Sequence, residues 1–95
     1  MDLHPDPDLS RYLFIGEAAF ALQVRASTLR EWEHVGYLQA IRQPRTGYRL
    51  FHREDVERMV MNAQTSTRRE EGIRRLARIL RERVFWRPRP RLRPG

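Results

Sequence analysis

The sequence predicts a mainly α-helical fold with a small two-stranded β wing. Four segments have either the alanine-rich composition or the three- and four-residue apolar spacing that is typical of helices. Between the second and third of these segments, two short runs rich in β-forming residues flank Pro44 and Gly47, which favours a hairpin. The helical segments and the hairpin together predict a winged helix-turn-helix followed by a C-terminal basic amphipathic helix.

The first two helices are predicted on either side of a tight turn. An alanine-rich stretch over 17–22 has high helix propensity, and the acid Glu17 suits its first turn. Residues 23–25 form the turn, and the second helix runs over 26–34, with Gly36 as its C-terminal cap. The apolar run that precedes the first helix either begins a strand or packs against that helix.

The wing and the third helix follow. The hairpin strands are predicted over 38–42 and 48–51, and the third helix over 52–60. Glu54 and Asp55 fall in the first turn of this helix, where the helix dipole favours acids. The winged unit is therefore expected to cover 12–62, after a flexible acidic arm over 1–11.

The fourth helix is predicted over 67–86, after a linker over 63–66. Thr67 and Glu70 have the spacing of a capping box. The apolar residues on one side of this helix are Ile73, Leu76, Ala77, Leu80 and Val84. The arginines on the opposite side are Arg68, Arg74, Arg75, Arg78 and Arg81. This apolar side either packs within the chain or pairs with a second copy, and 87–95 is expected to be a disordered Arg/Pro tail.

The charge of the chain is concentrated at its C-terminal end. All 19 basic residues are arginines, and the formal net charge is +7. The first 66 residues carry eight arginines against nine acids, whereas the last 29 carry eleven against three. Guanidinium groups bind phosphate oxygens in pairs and keep their charge at any relevant pH. The expected partner is therefore an anionic polymer or surface.

Enzymatic chemistry is not expected. The chain has no cysteine and only three scattered histidines, so we expect no metal site and no cofactor. No nucleophile has a base beside it in the sequence, and no glycine-rich phosphate loop is present.

An ordered set of residues over about 12–60 resembles the DNA-binding domain of the MerR family. The matching residues are Ile15-Gly16-Glu17, Ala19, Val24, Thr28-Leu29-Arg30, Trp32-Glu33, Gly36-Tyr37-Leu38, Arg42, Gly47-Tyr48-Arg49-Leu50-Phe51 and Glu54-Asp55-Val56. The resemblance implies that the second helix enters the major groove of double-stranded DNA and that the wing contacts the flanking backbone.

The resemblance also implies which residues contact DNA. In the second helix they are Ser27, Thr28, Arg30 and Trp32, and in the wing they are Arg42, Tyr48 and Arg49. The charges of Arg25, before the helix, and Arg45, in the wing, add two further expected DNA contacts. The aromatic residues Trp32 and Tyr48 have ordinary core packing as an alternative role. Additional phosphate contacts are expected from Arg74, Arg75, Arg78, Arg81, Arg87, Arg89 and Arg91, for which a merely solvated basic surface is the alternative.

The chain departs from the family pattern near the start of the second helix. The family usually has glycine at the position of Gln23 and serine at that of Arg25. The second helix is therefore expected to lack an N-cap side chain, a loss of about 1 kcal/mol. Glu31 places a carboxylate near the DNA, and we interpret it as paired with a neighbouring arginine.

Three functional alternatives remain. The first is a small sequence-specific transcriptional regulator. The second is an excisionase-like architectural protein that bends DNA. The third, from a different class, is an adapter whose basic amphipathic helix binds an acidic protein or an anionic surface. The apolar residues Ile73, Leu76, Leu80 and Val84 also offer a surface for self-association. We expect no membrane partner and no small-molecule effector. The expected location is cytoplasmic and nucleoid-associated.

Overall fold

A computed structural model describes residues 8–83. The elements, in chain order after a 3-10 turn at Leu9–Arg11, are β1 (Tyr12–Phe14), α1 (Ile15–Leu22), α2 (Ala26–His34), β2 (Ala40–Arg42), β3 (Arg49–His52), α3 (Arg53–Met61) and α4 (Ser66–Arg81). The predicted winged helix-turn-helix with an added helix is confirmed. Expectations for 1–7 and 84–95 lie outside the described residues.

The sheet has three antiparallel strands, with β3 between β1 and β2. The hairpin of β2 and β3 is the predicted wing, and β1 extends it because Leu13 lies opposite Phe51. Both side chains are completely buried. The apolar run ahead of α1 is therefore a strand, one of the two alternatives that the sequence left open.

The core lies where the sheet meets α1, α3 and α4. Its buried members are Leu13, Ala18, Ala21, Leu29, Leu38, Phe51, Val56, Val60, Leu76 and Ile79. Because Leu76 and Ile79 belong to this cluster, α4 packs within its own chain against α1 and α3. The winged unit and the fourth helix share one hydrophobic core.

The predicted apolar side of α4 was partly wrong. The buried line runs through Gly72, Leu76 and Ile79, whereas Ile73 is 47% exposed and Ala77 is also exposed. The reason is tertiary: α4 packs between α1 and α3, so these two helices select which side of α4 is covered.

The predicted capping box at Thr67 was also wrong. The N-cap of α4 is Thr65, whose side chain accepts a hydrogen bond from the backbone N–H of Arg68 at 3.1 Å. The helix begins at Ser66 and ends at Arg81, which is earlier than the predicted end at 86. Both candidate caps are threonines, two residues apart.

A completely buried carboxylate joins the two ends of the described chain. Glu17 accepts a hydrogen bond from the backbone N–H of Phe14 at 2.8 Å. The guanidinium of Arg83 donates to the same carboxylate, with Nε 3.2 Å from Oε2, and also to the carbonyl oxygen of Tyr12. Because a buried charge needs such partners, this cluster joins the segment after α4 to β1 and α1.

We predict that Gly72→Ala destabilises the fold although alanine favours helices. A Cβ at Gly72 would lie 2.6 Å from Cγ1 of Val60, so α4 and α3 would have to separate. The expected loss is about 1–3 kcal/mol in the free energy of unfolding, measured by urea denaturation. Gly16→Ala is the control, because nothing lies within 4 Å of its Cβ. A stabilising Gly72→Ala change would contradict this close packing of helices.

We predict that Arg83→Met lowers the free energy of unfolding by about 3 kcal/mol, because it leaves the buried carboxylate of Glu17 without its cation. Arg81→Met is the matched control, since Arg81 is exposed and has no ion pair within residues 8–83. Its expected effect is below about 0.5 kcal/mol. Equal effects of the two substitutions in urea denaturation would show that the buried pair contributes nothing.

Candidate nucleic-acid interface

The turn between α1 and α2 fixes the direction of α2. Gln23 has the left-handed conformation, with φ of 56°, and the backbone N–H of Val24 donates to the carbonyl of Ala19 at 3.0 Å. This conformation explains the glycine usual in the family, because a side chain there costs about 1 kcal/mol. The turn holds Leu29 of α2 in the core.

The side of α2 away from the core is polar and exposed. Ser27, Arg30, Glu31 and His34 are exposed on this side. Neither Arg30 nor Glu31 makes an ion pair within residues 8–83, so the interpretation that Glu31 is paired with a neighbouring arginine was wrong. The wing arginines Arg42 and Arg49 pair instead with Glu33, which lies on a different side of the helix from Glu31.

The N-terminus of α2 has no side-chain cap, as the sequence predicted. The N-cap residue Arg25 is extended, exposed and without an ion pair within the described chain. The first backbone N–H groups of a helix point along its axis and carry partial positive charge. The beginning of α2 therefore combines uncapped donors with an exposed guanidinium.

The C-terminus of α2 is closed by a Schellman motif. Gly36 has φ of 80°, its N–H donates to the carbonyl of Glu33, and the N–H of Tyr37 donates to the carbonyl of Trp32 at 2.8 Å. The cap predicted at Gly36 is therefore confirmed. This cap fixes the last turn of α2, which carries Glu33.

The wing loop is held by a set of local hydrogen bonds. Gly47, with φ of 71°, donates its N–H to the carbonyl of Gln43 at 2.8 Å, and the N–H of Gln43 donates to the carbonyl of Tyr48 at 2.9 Å. Arg45 lies in this loop, exposed and without an ion pair among the described residues. The loop therefore presents one free cation from a defined backbone.

The two arginines that flank the wing loop share a carboxylate. Oε1 of Glu33 lies 3.0 Å from Nε of Arg49 and 3.7 Å from Nη2 of Arg42. Arg49 is half-buried, whereas Arg42 is more exposed and also donates to the carbonyl of Gly47. We name this arrangement the Glu33 bridge.

Sequence reasoning did not assign a role to Glu33. Its position one turn after the buried Leu29 indicated that it faces the fold. The missing information was the partner, because Arg49 lies 16 residues later and its distance from Glu33 depends on how the hairpin packs.

The two predicted aromatic residues pack against the protein. Trp32 packs on the core and makes an edge contact with Tyr37, with ring centroids 5.3 Å apart. Tyr48 makes an edge contact with Phe14, with centroids 6.4 Å apart. Both remain partly exposed, as does Thr28, so packing and DNA contact are compatible for these side chains.

The arginines of α4 have different surroundings. Arg74 and Arg81 are exposed and have no ion pair within residues 8–83. Arg78 pairs with Glu82 at 3.2 Å and lies over the ring of Phe20. Arg75 is half-buried, and its nearest acid, Glu71, is 3.9 Å away. Arg87, Arg89 and Arg91 lie outside the described residues.

Residues 14–64 match the family described as MerR HTH family regulatory protein. The chain belongs to the MerR family. The match covers the elements from α1 to the end of α3, including the α1–α2 turn and the wing. MerR-family helix-turn-helix proteins bind double-stranded DNA and form a regulatory, non-enzymatic class. No characterised protein and no solved structure gives a significant match.

Two further site types were searched for within residues 8–83. No three His, Asp or Glu side chains there come together in a group that could hold a metal ion. Among the same residues, no helix is long and apolar enough to cross a lipid bilayer.

Proposed function

We propose that this MerR-family chain is a sequence-specific transcriptional regulator. The helix α2 is the recognition helix and enters the major groove, and the wing contacts the flanking backbone. In this proposal Ser27, Thr28 and Arg30 read base edges.

One observation carries the proposal. The exposed arginines of the recognition helix and the wing tip are free of acidic partners within the described residues, namely Arg25, Arg30 and Arg45. Other arginines of the same unit are neutralised, such as Arg53 by Glu57 at 2.6 Å and Arg58 by Asp55 at 3.0 Å. Free cations on these two elements are suited to phosphate and base edges.

The remaining predicted contacts extend this interface. Arg42 and Tyr48 lie at the wing, and Trp32 would contact the sugar-phosphate chain with its exposed edge. Arg49 contributes to the same interface from its position at the Glu33 bridge.

Further phosphate contacts are proposed outside the winged unit. Those from the fourth helix are Arg74, Arg75, Arg78 and Arg81, and those from the tail are Arg87, Arg89 and Arg91. Arg74 and Arg81 support this extension best, because they are exposed and unpaired within the described residues.

Two alternatives are weighed against this proposal. An excisionase-like protein would use the same interface to bend DNA, and a gel-mobility assay with circularly permuted probes separates the two. The adapter hypothesis requires a free apolar side on α4. Of the side that the sequence predicted, Leu76 is buried in the core, whereas Ile73 and Ala77 stay exposed, so only part of that side is open to a partner.

A fluorescence-anisotropy titration tests the proposal directly. The probes are a duplex selected from a random library and a scrambled duplex, each at two salt concentrations. We expect saturable binding that weakens linearly on a log–log plot as salt rises, because phosphate contacts release counterions. The absence of saturable binding at about 50 mM salt would contradict the DNA-binding role.

Two single substitutions separate base reading from backbone contact. Arg30→Ala should weaken binding to the selected duplex by about 1–3 kcal/mol and leave the scrambled duplex nearly unaffected. Arg45→Ala should weaken both duplexes equally and reduce the salt slope by about 1. Deleting residues 87–95 should also weaken binding to both duplexes equally, and it should reduce the salt slope by more than Arg45→Ala does. If Arg30→Ala weakens both duplexes equally, the division of roles is wrong.

Self-association is proposed through the part of α4 that stays accessible. Ile73, Ala77 and Leu80 line an apolar groove of about 300 Å³ between α3 and α4, together with Val60 and Met61. We expect sedimentation velocity to detect a dimer, at least on DNA with two half-sites, and Ile73→Asp to weaken it. A monomer at all concentrations and on all such DNA would remove this part of the proposal.

A further inference from the structure

The wing contains a repulsive contact that the hairpin alone does not relieve. Arg42 on β2 lies directly opposite Arg49 on β3 in the strand register. Like charges in directly opposed positions destabilise a strand pair, because their side chains lie about 5 Å apart at Cβ. The loop end of the wing therefore needs an anion from another element.

The recognition helix supplies this anion. The same oxygen, Oε1 of Glu33, is the nearest carboxylate oxygen to both guanidinium groups, at 3.0 Å from Arg49 and 3.7 Å from Arg42. The side chains of Glu33 and Arg49 are 23% and 28% exposed. Because they are largely shielded from solvent, this charge-assisted hydrogen bond is less screened than a surface ion pair.

The two elements that the bridge joins are each closed by local hydrogen bonds of their own. The Schellman motif after α2 fixes the turn that carries Glu33, and the hydrogen bonds of the wing loop fix the hairpin. The recognition helix packs mainly on α1 rather than on the sheet. The Glu33 bridge is therefore a direct polar link between the recognition helix and the wing.

We propose that Glu33 is a positioning residue for DNA binding. By bridging Arg42 and Arg49, it sets the angle between the wing and the recognition helix, so that both elements reach one duplex in a fixed register. Arg49 acts through this bridge rather than as an independent phosphate ligand. Arg42 is more exposed, so it also keeps its proposed contact with the DNA backbone. The inference rests on the proposed function and names the residue that organises the interface.

The first experiment needs no DNA. The chain has no cysteine, so spin labels attached to His34→Cys and Arg45→Cys report only the distance between the end of α2 and the wing tip. Glu33→Gln and Arg49→Gln should each broaden or shift the distance distribution measured by EPR. Glu57→Gln is the matched control, because it removes the carboxylate of the Arg53–Glu57 pair on α3. An unchanged distribution in Glu33→Gln would overturn the proposal.

The second experiment measures hydroxyl-radical footprints on the selected duplex. In Glu33→Gln, protection of the flanks should fall about fivefold relative to protection of the central groove. Arg49→Gln should give the same loss of flank protection. The double variant should lose no more protection than either single variant, because each of the three variants removes the same bridge. The salt slope should stay unchanged, and Glu57→Gln should keep the flank protection.

Two outcomes of the footprints would overturn the inference. If Arg49→Gln lowers the salt slope by about 1 while Glu33→Gln keeps or raises flank protection, Arg49 binds phosphate and Glu33 only masks it. If Glu57→Gln loses flank protection to the same extent, the effect is general destabilisation, which thermal unfolding of each variant checks. A wild-type chain that protects no duplex contradicts the proposed function, whereas the EPR distances still decide whether Glu33 positions the wing.

Discussion

The buried carboxylate of Glu17 is the constraint on which the rest of the structure depends. A fully buried charge is tolerated only with close partners, and Glu17 has one partner three residues away and another 66 residues away. The N–H of Phe14 belongs to the junction of β1 and α1, and Arg83 follows α4. One charge therefore fixes the first strand, the first helix and the end of the last helix together, and these elements form the frame on which α2 packs.

This frame explains how a chain of 95 residues supports the two elements that are proposed to contact DNA. The recognition helix has only Leu29 fully buried, and the wing is a hairpin of three and four residues. Neither element is stable alone. Packing of α4 completes the core under α1, and β1 adds a third strand to the wing sheet. These contacts stabilise the two elements that present the exposed arginines. The Glu33 bridge then joins α2 to the wing through ion pairs.

Local chemistry decided which parts of the fold the sequence could predict. The bounds of α2 were predicted correctly, because a turn at Gln23 and a positive-φ glycine at Gly36 define both ends. The buried side of α4 was not, since Ile73 and Ile79 are equally apolar and only contact with α1 and α3 selects between them. The same limit applies to the proposed site: Arg30 and Arg45 can be proposed from the sequence as exposed cations, whereas the partner of Arg49 depends on packing across 16 residues.

The most direct test of the account is an NMR titration of the ¹⁵N-labelled chain with the selected duplex. The account predicts that the largest amide shifts cluster in the first turns of α2 and in the wing loop around Arg45. The exposed residues Ile73 and Ala77 of α4 should shift little if the duplex carries a single half-site. Shifts concentrated in the groove between α3 and α4, with α2 and the wing unaffected, would contradict the account.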